Sequence, residues 1–164
     1  MKKITSLIIS LFLLVYINAC AGYKPIFSSK NFKFIIVDHS VQGDAKLGNQ
    51  IYSKLYNISQ LDKNNPNVRS IRVSITVLID QVATVKNSAG KILEYKIDLN
   101  TDFIANDFLT NQEIVNHSFN YNSSYKVYDQ HSETIKMKNK TIDDLINITY
   151  ENLIIKISES ITTE

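Results

Sequence analysis

The chain of 164 residues has one cysteine, two prolines, four glycines, three histidines and no tryptophan. A single cysteine excludes an intramolecular disulfide, so no bridge staples the fold. The few glycines form no phosphate-cradling loop, and the sequence contains no nucleophile elbow. His39, His117 and His131 fall in different predicted elements without metal-ligand spacing. His117 lies on the inward-facing parity of its strand and reads as a core residue. Charge of one sign is also missing. The 18 basic and 16 acidic side chains become 16 of each once Lys2 and Lys3 are removed with residues 1–19. No global basic field exists to gather nucleic acid, so no nucleic-acid partner is expected. No catalytic constellation stands out, and neither an enzymatic activity nor a cofactor is expected.

The N-terminus is the most informative stretch. Lys2 and Lys3 precede an almost unbroken apolar run, Ile4 to Ile17. That run has the length of a signal h-region and is too short to span a bilayer. It ends in Ile17-Asn18-Ala19-Cys20, which resembles a lipobox: a small residue at the cleavage position, then the chain's one thiol. The resemblance implies cleavage before Cys20 and acylation of its sulfur and its new amine. Three acyl chains exceed what stable anchoring needs, since each buried methylene contributes about 0.8 kcal/mol. Two plainer readings stay open: an ordinary secretory peptide with a coincidental cysteine, and an uncleaved anchor. Ala21 is not the aspartate that retains lipoproteins in the inner membrane, so the resemblance favours the outer membrane.

Cleavage leaves 145 residues, one domain's worth and enough to bury a core without metals or disulfides. The expected division is a signal peptide at 1–19, a lipidated tether at 20–30 and a single domain at 31–164. Asparagine, isoleucine and lysine are abundant, as in an AT-rich genome, which weakens any argument from a single Asn or Lys.

Phe32 to Val37 reads as a first strand, and Asp38 to Asp44 as turn and cap residues. Leu47, Ile51, Tyr52, Leu55 and Ile58 then fall at helical spacing, with Asp44 a candidate cap. Asp62 to Asn67 reads as a loop. Arg69 to Lys86 alternates strictly, placing Ile71, Val73, Ile75, Val77, Ile79, Ala83 and Val85 on one face. Asn87-Ser88-Ala89-Gly90 reads as a hairpin turn. Lys91 to Asp107 alternates again, with Leu93, Tyr95, Ile97, Leu99, Phe103 and Ala105 inward. After a turn at Phe108 to Gln112, Glu113 to Tyr128 forms a third alternating strand. Asp129 to Lys140 reads as a polar loop. Thr141 then caps a helix of roughly five turns, with Asp143 and Asp144 in its first turn and an apolar stripe from Ile142 to Ile161. The predicted fold is α+β: order βαβββα, a four-stranded mainly antiparallel sheet, and two helices on one face in a two-layer sandwich.

Lipobox, tether and element order together resemble the LPS-assembly lipoprotein LptE in its shorter alphaproteobacterial form. The likeness is carried by Cys20-Ala21-Gly22-Tyr23-Lys24-Pro25-Ile26-Phe27, by the Arg72-Val73-Ser74-Ile75 strand entry and by the long last helix. Ala21, inserted between the cysteine and Gly22, departs from the family's start, as does an asparagine-rich, nearly neutral polar face. The resemblance implies a non-enzymatic outer-membrane lipoprotein facing the periplasm and barrel lumen. It would plug and help assemble an LptD-like β-barrel and help deliver lipopolysaccharide to the cell surface. A barrel lumen is polar, so a plug needs a polar exterior around its own core. Lipopolysaccharide phosphates would meet cations. The candidates are Lys86 and Lys91, flanking the 87–90 turn, and Lys136, Lys138 and Lys140 before the last helix. Solvated lysines enriched by genome bias are the plainer reading of these five. The alternative functions are a periplasmic accessory lipoprotein of an ABC-type lipid or solute transporter and a structural lipoprotein that binds peptidoglycan or an envelope enzyme.

Overall fold

The structure is a computed structural model that describes residues 34–60 and 68–162. The signal peptide, Cys20 with its tether, the domain boundary at 31 and the 62–67 loop lie outside the described residues. Strand β1 (Phe34–Gly43) leads to helix α1 (Ala45–Ser59). The meander β2 (Arg69–Lys86), β3 (Ile92–Asp107) and β4 (Glu113–Lys126) follows, and helix α2 (His131–Thr162) closes the order. The fold is α+β, with one open mixed sheet in the order β1-β2-β3-β4. β1 and β2 are parallel and the other neighbours antiparallel. Parallel neighbours need a crossover, and α1 supplies it.

The meander follows from strict alternation. Ile71, Val73, Ile75 and Val77 of β2, and Ile97, Leu99, Phe103 and Ala105 of β3, are buried, as are Val115, Phe119 and Tyr125 of β4. α1 adds Leu47, Ile51 and Leu55; α2 adds Leu145, Ile146, Leu153, Ile154 and Ile157. One core thus lies between a single sheet face and both helices. Each fully buried aliphatic side chain contributes about 1.5–3 kcal/mol relative to exposure.

Four expectations change. The first strand does not end at Val37: the register steps from Ile36↔Ile71 to Asp38↔Arg72, leaving Val37 as a bulge. The bulge reverses parity, so Phe34 and Ile36 face the core before it, and His39 and Val41 face α1 after it. That reversal hides the strand from an alternation test. Gly43 ends β1 at φ +75°, and Asp44 caps α1 by accepting from the Leu47 N–H at 3.0 Å.

Residues 131–140 are helix, not loop. Thr141 is buried inside α2 rather than capping it, and Asp143 and Asp144 lie mid-helix. These first turns are mostly exposed and carry no apolar stripe, so periodicity gives no signal there, whereas Lys, Met and Glu favour helix by intrinsic propensity. The outer arm of the hairpin is not core. Ala83, Val85 and Leu93 are exposed, because α2 packs chiefly along β4, burying Tyr125 there, and leaves the outer half of β2 and the tip of β3 uncovered. His117, finally, shares the parity of Phe119 but is exposed on edge strand β4, its ring edge-on to Phe119 at 4.6 Å.

Candidate interaction surface

Among the described residues, the second sheet face is bare of helices. Its even-numbered residues stand in cross-strand rows: Thr76–Asp102–Ser118, Leu78–Asn100–Asn120 and Asp80–Asp98–Asn122. Side chains tie the strands together. The Ser118 hydroxyl donates to Asp102 at 2.6 Å, Ser40 donates to Ser74 at 3.0 Å, and Arg72 Nε donates to Asp38 at 2.7 Å. Asp80 stands directly across from Asp98. Like charges so placed repel, and Lys96 offsets this by pairing with Asp98 at 2.9 Å. The face therefore presents amides and carboxylates, a surface suited to a partner offering hydrogen-bond donors. It also carries Leu78 and Val82, both exposed. Their even parity was visible in the sequence as apolar residues on the polar side.

The hairpin tip is tightly specified. Asn87 Oδ1 accepts from the Ala89 and Lys91 N–H groups at 3.0 and 2.9 Å, and Gly90, at φ +81°, closes the turn onto the Asn87 carbonyl. Lys86 and Lys91 flank this turn as expected. Lys91 reaches Asp129 at 2.8 Å, just before α2, and that ammonium lowers the Asp129 pKa. The contact brings the start of α2 to the hairpin end, so both lysine groups lie toward that half of the molecule, although Asn139, beside Lys140, already lines a groove with Lys46 at the start of α1.

They do not form one patch. Lys136 and Lys140 stand one helical turn apart on the same side of α2, while Lys138 points elsewhere and is half-buried. Lys140 is held by Asp144 at 2.7 Å. Lys86 and Lys136 are both exposed. Sequence alone could not assign the Lys91 pairing, because Asp129 and Lys91 are 38 residues apart, whereas Lys140 and Asp144 are an i,i+4 pair within one helix.

Between α1 and α2 runs an open groove of about 530 Å³, lined by Lys46, Gln50, Lys54, Asp143, Ile146 and Asn147 among others. Gln50 Oε1 is buried there without a protein donor. Lys54 stands over the Tyr150 ring at 5.5 Å. Among the described residues no group of three His, Cys, Asp or Glu side chains could hold a metal ion, and no helix is long and apolar enough to cross a membrane. His39 stacks on Tyr52 at 3.7 Å, His117 stands on β4 and His131 opens α2.

Comparison with family models and with curated proteins finds no match. Solved structures do match in fold. The rare lipoprotein B of Shewanella oneidensis aligns at 11% identity with a TM-score of 0.54, over 77% of this chain and 97% of that one. An uncharacterized lipoprotein B of Nitrosomonas europaea aligns at 11% and 0.54, over 87% and 92%. A candidate lipoprotein of Caulobacter crescentus CB15 aligns at 9% and 0.54, over 80% and 91%. Identities this low establish the shared fold, and the alignments span nearly the whole of each relative.

Proposed function

We propose that this protein is an outer-membrane lipoprotein of the LptE type, acylated at Cys20. In this reading it plugs an LptD-like β-barrel, helps the barrel assemble, and assists delivery of lipopolysaccharide to the cell surface. Its role is to bind rather than to catalyse. The observation that carries the reading is the bare polar sheet face, combined with a fold shared with proteins named lipoprotein B. A four-stranded sheet with both helices on one side leaves its other side without a partner among the described residues. That side holds Asn100, Asn120, Asn122, Asp98 and Asp102 in register, a hydrogen-bonding surface of the kind a water-lined lumen can accept. The lysine-bearing hairpin end is the part of the fold suited to phosphates, with Lys86 and Lys136 exposed there.

Photo-crosslinkers placed at Thr76, Asn100 and Asn120 test this in whole cells. Capture of one large outer-membrane protein at these positions, absent from a position on α2 such as Glu151, is the expected result. Capture of inner-membrane transporter subunits alone would replace the reading with an accessory lipoprotein of an ABC-type transporter.

A further inference from the structure

The end of the sheet opposite the lysines carries an apolar turn that neither the core nor the open face uses. Register sets Phe34 beside Arg69, and Arg69 is joined to Asp107 by an ion pair of 2.7 Å. The β3–β4 turn, Phe108 to Gln112, projects from this end. Leu109 there is 86% exposed, the most exposed large apolar side chain among the described residues, and its neighbour Phe108 is 41% exposed. Isolated exposed apolar residues are ordinary, so exposure by itself decides nothing. The backbone beneath them carries the argument.

Each N–H from Asp107 to Gln112 has a protein acceptor. Asp107 donates to the Gln112 carbonyl, Phe108 to the Ser70 carbonyl and Asn111 to the Asp107 carbonyl, at 2.8, 2.9 and 3.0 Å. Leu109 and Thr110 both donate to Asp107 Oδ1 at 2.9 Å, and Gln112 donates to Thr110 Oγ1 at 3.4 Å. Asn111 takes a left-handed φ of 59° to close the turn. A turn normally leaves such donors to water, and taking unpaired ones out of water costs free energy. The amide donors of this turn can leave water without that cost, which leaves only its outward carbonyls to be met by the hydrated headgroup region. The Arg72 guanidinium lies 5.3 Å from the centre of the Phe108 ring, a cation at the border of the apolar tip. The same end receives the chain from Cys20, since Phe34 begins β1 there. Fully extended, the segment from Cys20 to Phe34 reaches at most about 50 Å.

We propose that the Phe108–Leu109 turn seats in the interface of the lipid leaflet that holds the Cys20 acyl chains. It would act as a second, shallow contact that directs the hairpin end away from the membrane. This rests on the reading of Cys20 as the acylated residue. Apolar side chains buried at the headgroup boundary, with a cation beside them, are the chemistry of interfacial contact.

With Cys20 acylated, Leu109→Cys supplies the single free thiol of the lipoprotein, and Ala89→Cys supplies the same at the opposite tip. Each variant, purified as the full lipoprotein, is labelled with an environment-sensitive fluorophore. It is then reconstituted into vesicles of phosphatidylethanolamine and phosphatidylglycerol. The expected result is several-fold stronger quenching at 109 than at 89 by nitroxide-bearing lipids, with the reverse order for aqueous iodide. If the protein floats with the vesicles while position 109 is as open to iodide as position 89, the membrane contact is overturned and the acyl anchor stands. Failure to float overturns both. Shielding of position 109 that arises only on addition of a co-purified barrel overturns the membrane contact in favour of a protein pocket.

Discussion

Replacing Gly43 by alanine should cost much more stability than replacing Gly90, although the two glycines have nearly the same backbone conformation. Gly43 sits at φ +75° and Gly90 at +81°. A left-handed conformation costs an L-residue roughly 1–2 kcal/mol, so that part is common to both. The surroundings differ. An alanine Cβ at Gly90 would meet nothing within 4 Å, whereas at Gly43 it would lie 2.1 Å from the carbonyl oxygen of Val77. Relief requires a backbone shift of about an ångström. The atom displaced is the one that accepts the Asp44 N–H at 2.8 Å, and Asp44 in turn caps α1. A lost buried hydrogen bond adds about 1–3 kcal/mol, and a weakened cap about 1 kcal/mol. Gly90→Ala should therefore cost about 1–2 kcal/mol, and Gly43→Ala about 3–5 kcal/mol. Urea melts of an acyl-free Cys20→Ala background, followed by far-ultraviolet circular dichroism, give both values. Equal losses at the two sites would refute the reasoning, since they would mean that the close approach of β1 to β2 carries no energetic weight.

Asp107 governs acid stability. The Arg69 guanidinium beside it, with the Thr110 and Leu109 N–H groups, holds its pKa well below the ordinary value of 3.8. The stability it contributes is fully present above that ordinary value and is lost as pH falls through the depressed one. Below about pH 4, the parent should lose stability more steeply with falling pH than Asp107→Asn does in matched melts. Thr101 lies in the core between Val77 and Phe119, and its buried hydroxyl has no protein partner. Thr101→Val keeps the shape and removes the orphan, so a gain of about 1–3 kcal/mol in a denaturant melt is expected. Lys86→Glu combined with Lys91→Glu reverses both charges at the hairpin tip and frees Asp129. Binding of lipopolysaccharide by the purified lipoprotein should weaken, and the parent's binding should weaken at high salt. Unchanged affinity in the double variant would leave the tip without a lipid role.

Much of this architecture is local chemistry and can be read directly. The alternation from Arg69 to Asp107, the Asn-Ser-Ala-Gly turn between its halves and the 3.6-residue spacing of α1 each rest on neighbours within a few positions. Those patterns determined the element order and which parity of the meander strands is buried. The Ile17-to-Cys20 stretch is equally local, and it sets the expectation of an acylated N-terminus. What local pattern could not supply is anything that depends on where an element ends up. Ala83, Val85 and Leu93 alternate as correctly as Ile75 does, yet they are exposed because α2 runs along β4 and does not cover the outer half of β2 or the tip of β3. The Val37 bulge hides half of β1, since one extra residue reverses parity and only the partner strand restores sense to it. The first turns of α2 are helical without an apolar stripe. Two lysines followed the same rule: Lys91 finds Asp129, 38 residues away, and Lys138 turns partly inward. Burial and pairing are set by surfaces that meet only after the chain has folded, and a side chain's own sequence neighbours do not encode which surface that will be.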